Sequence, residues 1–111
     1  MLTDTQSRVL RGLLVDPASP RYGYEMMKAA GVKSGTLYPM LKRWQHEGVV
    51  VAEWEDAAST QEGRPARKYY RLTGEGVRVA RIELAEYTAQ RRSTMDKNPG
   101  FGWSPATGAA T

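Results

Sequence analysis

Ser34-Gly35-Thr36-Leu37-Tyr38-Pro39-Met40-Leu41-Lys42-Arg43 is the stretch on which the fold turns. Leu37, Leu41 and Trp44 recur at helical spacing, so a helix here presents one apolar face to a core. Its other side carries Thr36, Tyr38, Lys42 and Arg43, preceded by Lys33 and Ser34. Further along, Gly63-Arg64-Pro65-Ala66-Arg67-Lys68-Tyr69-Tyr70 reads as a basic turn running into a strand. A helix of groove-fitting width beside a cationic hairpin is what a winged helix-turn-helix requires.

The flanking sequence supplies the rest of such a domain. Thr3 and Gln6 have the spacing of a capping box, and Val9, Leu10, Leu13 and Leu14 then follow at helical steps until Pro17 and Pro20. The first helix is therefore expected over residues 3–16. Tyr22 to Ala30 forms a short second helix, with Tyr24, Met27 and Ala30 on its inner face and Gly31 ending it. The third starts at Ser34 or soon after and stops at Gly48. Pro39 fits best if its first turn opens at Gly35–Thr36, where a missing amide costs little.

Val49 to Glu55 reads as a strand in which Trp54 is packed, and Arg67 to Leu72 as its hairpin partner. Thr73 is placed to cap a fourth helix from about Gly74 to Arg92, whose stripe is Val77, Ala80, Leu84 and Tyr87. The fold class is thus mainly α with a small β-hairpin: a winged helix-turn-helix over 1–73 and a C-terminal dimerisation helix over 74–95. Residues 96–111, rich in Gly, Pro, Ala, Ser and Thr, are expected to be a disordered tail.

Composition bounds the function. The 111 residues suit one domain, and 41% apolar content permits only a small core. Sixteen Lys and Arg against twelve Asp and Glu give a charge of +4, compatible with a polyanionic partner. No cysteine is present, which removes disulfides and thiolate metal sites. No apolar run is long enough to span a membrane and no secretory pattern opens the chain, so a cytoplasmic protein is expected. His46 is the sole histidine and lies beside Glu47; without a phosphate loop, paired metal ligands or a nucleophile set, no enzyme, cofactor or metal is expected.

Double-stranded DNA is the partner this pattern suits. Lys33, Ser34, Thr36, Tyr38, Lys42 and Arg43 are the candidates for the major groove, where hydroxyls and first-turn amides suit phosphates and Arg43 suits guanine. Arg64, Arg67 and Lys68 are the candidates for backbone or minor-groove contacts from the wing. Glu53, Glu55, Asp56 and Glu62 dilute the positive charge there. The competing class is a winged-helix protein-interaction module without DNA binding, which the mixed-sign wing would also suit.

Gly23-Tyr24-Glu25, Gly35-Thr36-Leu37-Tyr38-Pro39, Glu47-Gly48, Gly63-Arg64-Pro65 and Arg67-Lys68-Tyr69-Tyr70-Arg71-Leu72-Thr73 together resemble the PadR family of bacterial transcriptional regulators, in order from about residue 8 to residue 90. Trp44 departs from the family pattern, which has an aliphatic residue there, and the short region after the fourth helix resembles the subgroup without a large C-terminal domain. The resemblance implies a winged-helix repressor that binds a palindromic operator as a homodimer, the fourth helix dimerising together with the first. Val77, Ala80, Leu84 and Tyr87 are then the expected dimer contacts. Some relatives bind planar aromatic molecules, and a small aromatic effector here would meet Tyr87 and Trp103.

Overall fold

A computed structural model describes residues 2–56 and 63–96, with side chains through residue 93. The elements are α1 (Asp4–Val15), β1 (Arg21–Tyr22), α2 (Gly23–Ala30), α3 (Ser34–His46), β2 (Val50–Trp54), β3 (Lys68–Leu72) and α4 (Gly74–Asp96). Expectations for residues 97–111, Trp103 included, lie outside the described residues. None of the described helices is long and apolar enough to cross a membrane.

The expected box closes α1: the Gln6 amide donates to Thr3 Oγ1 at 3.0 Å and the Thr3 amide to Gln6 Oε1 at 2.9 Å. Val9, Leu10 and Leu13 are buried, and with Leu37, Leu41, Trp44 and Val50 they form the centre of one core. Trp44 keeps only 5% of its surface exposed, so the bulky indole is accommodated inside.

Three expectations need correction. The inner face of α2 is Gly23, Met26 and Ala30, while Tyr24 is 58% exposed. In a helix of eight residues two neighbouring stripes are equally periodic, and the one holding the small Gly23 is the one that fits against Tyr38. Pro39 lies inside α3 rather than in its first turn, because the helix already begins at Ser34. Gly35 and Pro39 both face solvent, so water can reach the carbonyl that lacks an amide donor. Trp54 is 65% exposed, at the end of β2 beyond the reach of the core.

Among the described residues the sheet has three strands, not two, in the order β1-β3-β2, all antiparallel. Val50 pairs with Leu72 and Trp54 with Lys68, while Arg21 and Tyr22 pair with Tyr70 and Tyr69. β1 has too few residues to show alternation, so it is recognisable only through its partner.

Thr73 joins sheet to helix. Its hydroxyl donates to the Gly48 carbonyl at 2.6 Å and accepts from the Gly76 amide at 2.8 Å, capping α4. Gly76 then approaches β2 so closely that a Cβ there would clash with the Val49 carbonyl group. Ala80 is fully buried, and Val77, Leu84 and Tyr87 pack partly against the core of their own chain. The stripe expected to meet a second chain is thus covered in part within the first, with Val77, Leu84 and Tyr87 each half-buried. α1 supplies the missing surface: Asp4 accepts from the Tyr87 hydroxyl and, at 3.0 Å, from Arg91.

Candidate nucleic-acid interface

Lys33, Ser34, Thr36, Tyr38, Lys42 and Arg43 are all exposed, on α3 or at its N-cap. The turn leading to them is set by Gly31, whose left-handed φ of 65° ends α2 and suits glycine. Lys33 and Lys42 meet no carboxylate among the described residues. Arg43 pairs with Glu47 one turn on, at 3.1 Å, with side-chain exposures of 70% and 49%. An exposed pair of this kind is held weakly, so the guanidinium stays available to a stronger anion. Tyr38 is 42% exposed, and its ring leans over Gly23 instead of standing free.

The wing is organised around a residue that sequence reading treated only as a charge diluting the site. Glu55 has 13% of its side chain exposed. Its carboxylate accepts from the Tyr22 hydroxyl at 2.6 Å, the Arg67 amide at 2.9 Å, Arg64 at 3.1 Å and the Arg67 guanidinium at 3.4 Å. The Tyr22 hydroxyl and then the Arg67 amide are the main reasons its carboxyl is held down at about 2. The same bond pushes the Tyr22 phenol above its ordinary value. The Arg67 guanidinium also lies 4.2 Å from the Tyr22 ring centre.

Two of the expected wing contacts are thus engaged within the chain. Arg64 and Arg67 clamp the base of the hairpin, and Arg71 pairs with Glu53 at 3.2 Å. Lys68 differs: its ammonium sits 5.8 Å from the Trp54 ring and 5.9 Å from the Tyr70 ring, with no carboxylate partner among the described residues.

An open groove of about 540 Å³ connects the two elements. Tyr38 of α3, Tyr24 of α2, and Trp54 and Lys68 of the wing all border it. Burial, with a smaller contribution from neighbouring Tyr38, raises the pKa of Tyr70 at its floor. Tyr24 and Trp54 were missed as candidates because both were assigned to packed faces. Trp54 could have been suspected from its register, since it shares a side of β2 with Val50 but lies past the last core residue of that strand.

The transcriptional regulator PadR-like family matches residues 12–82, from within α1 to within α4. The chain belongs to this family. Several solved structures share its architecture. A PadR-like transcription factor from Bacteroides fragilis is 25% identical, with a TM-score of 0.60 over 81% of this chain and 88% of that one. A PadR-like regulator from Bacillus cereus has 23% identity and a TM-score of 0.60 over 81% and 85%. The smu.1704 protein of Streptococcus mutans has 25% identity and a TM-score of 0.62 over 85% and 86%. No curated protein matches this chain. The PadR-like assignment makes the chain a transcriptional regulator of mainly helical winged-helix fold. Within that fold α3 stands as the second helix of the helix-turn-helix and β2–β3 as the wing.

Proposed function

We propose that this PadR-like regulator is a cytoplasmic repressor that binds a palindromic operator as a homodimer. The observation that carries the reading is the groove shared by α3 and the wing, bordered by Tyr38 and Lys68. Lys33, Ser34, Thr36, Lys42 and Arg43 enter or border the major groove, and Lys68 follows the backbone or the adjacent minor groove. Arg64 and Arg67 act one step back, holding the hairpin through Glu55. A second copy would meet the outward side of α4, where Ile82 is 46% exposed beside Ala85 and Ala89. Two-fold symmetry then sets two recognition helices about 34 Å apart, one DNA turn.

An aromatic effector is part of the proposal. NadR, a fold relative at 23% identity of which the chain covers 62%, has been crystallised with 4-hydroxyphenylacetate. Tyr87 suits such a molecule poorly, since its hydroxyl is already bonded to Asp4 and Arg91. Tyr22, Tyr24, Tyr38 and Trp54 offer more stacking surface, in a groove where ligand and DNA would compete.

Fluorescence anisotropy tests the reading, with a labelled duplex from just upstream of the coding region titrated beside a scrambled duplex at several salt concentrations. Preference for the upstream duplex, with affinity falling steeply in salt, is the expected result. Equal binding to both duplexes would place the operator elsewhere. Absence of binding to either at low salt, with and without aromatic acids, would overturn the DNA-binding reading in favour of a protein-docking module.

A further inference from the structure

A second groove, of about 660 Å³, runs between α1 and α4 and is lined by none of the α3 or wing residues proposed to meet DNA. Four arginines line it, Arg8 and Arg11 from α1 and Arg91 and Arg92 from α4, with Asp4 and Tyr87 among them. Among the described residues no aliphatic side chain does, and four guanidiniums face one carboxylate, a surplus of three positive charges. Arg91 is tied to Asp4, and Arg8 donates through Nε to the Ala30 carbonyl at 2.9 Å. Arg11 and Arg92 have no hydrogen-bond or ion-pair partner among the described residues.

Like charges gathered around one concavity repel, and an anion placed among them relieves that repulsion. A site for a neutral or purely aromatic molecule would be lined mostly by apolar side chains, which this one is not. Guanidinium forks match the paired oxygens of phosphate, and several of them in one groove favour a ligand with more than one negative charge. We propose that the α1–α4 groove binds a small phosphorylated molecule carrying two or more negative charges. Occupancy has a route to the DNA-reading helix. Arg8 holds the carboxy-terminal carbonyl of α2, three residues before Lys33 caps α3, and an anion that draws Arg8 into the groove competes with that hold. This regulatory consequence rests on the DNA-binding reading; the site itself does not.

Isothermal titration calorimetry on the full chain tests the site without DNA, using pyrophosphate as the probe beside orthophosphate and benzoate. Pyrophosphate is expected to bind most tightly, and Arg11→Gln and Arg92→Gln to weaken it by about tenfold each, the scale of one charged hydrogen bond. Lys42→Gln, on α3, leaves that affinity unchanged. Matching thermal melts of the variants separate lost binding from lost folding. Equal affinity for benzoate and pyrophosphate, or no effect of either arginine substitution, overturns the proposal. So does a fall in sedimenting mass with pyrophosphate affinity intact, which would make a second copy the counter-charge. A loss of DNA affinity in phosphate-free buffer as large as that of Lys42→Gln would assign the groove to nucleic acid instead.

Discussion

The ring of Tyr38 fills the space that a side chain on Gly23 would need: its Cζ lies 2.8 Å from where a Cβ would stand. Two motifs distant in sequence, Gly23-Tyr24-Glu25 and Thr36-Leu37-Tyr38-Pro39, are thereby one device. α2 begins with a residue lacking a side chain, and the phenol on α3 lies down over it. The Tyr22 amide just before donates to Glu25 Oε1 at 3.2 Å, fixing where that helix starts.

Gly23→Ala is expected to push the Tyr38 ring outward at little cost to folding, because the clashing atoms are the free end of an exposed side chain. The stability lost in urea unfolding should be smaller than that of a core overpacking, about 1–3 kcal/mol. Discrimination between operator and random duplex should change in the same sense as for Tyr38→Ala. If anisotropy shows the wild-type ratio in both variants, the posture of Tyr38 has no part in specificity.

Gly76→Ala presents the opposite case. Its Cβ would meet the Val49 carbonyl, a backbone group that cannot swing aside. A loss of roughly 2–4 kcal/mol in urea unfolding is expected, at the upper end for overpacking. A loss below that range would mean that α4 can slide away from β2 with ease.

Glu55 gives the wing an acid-sensitive anchor. Its folded carboxyl is held at about 2, below its ordinary 4.5, so its stabilising contribution is complete above 4.5 and is lost as pH falls towards 2. The Arg67 amide resonance should therefore titrate near pH 2, and Glu55→Gln should abolish that transition. A wild-type transition at the ordinary carboxylate value would contradict the anchored geometry.

Lys68→Ala and Arg64→Ala should part company, although both residues are wing cations. Lys68→Ala is expected to weaken binding to all duplexes alike and to reduce the salt slope by about one. Arg64→Ala should act chiefly on stability, by up to about 1 kcal/mol, since it breaks a half-buried pair with Glu55. A salt slope that falls equally in both variants would return Arg64 to the phosphate-contacting set.

Much of the architecture was legible because it depends on short-range chemistry. The Thr3 box, the Gly31 stop, the Leu37–Leu41–Trp44 face and the Thr73 cap each involve residues within a few positions of one another, where local geometry decides. The exposed set on α3 followed from the same periodicity. Legibility ended where two elements compete for one surface. Gly23 and Tyr24 are adjacent in a short helix, and the ring of Tyr38 over Gly23 marks which of their two stripes turns inward.

The sequence by itself determined the order of helices and hairpin and the residues offered on the outer face of α3, since these follow from periodicity and local capping, while its motifs carried the family resemblance. Tertiary structure alone decided that Arg21–Tyr22 is a strand, that Glu55 gathers Tyr22, Arg64 and Arg67, and that α4 rests part of its apolar stripe on its own core. The physical reason is common to all three. Hydrogen bonds and burial between residues 9 to 83 positions apart depend on how the elements pack, and neither pattern nor composition records that distance.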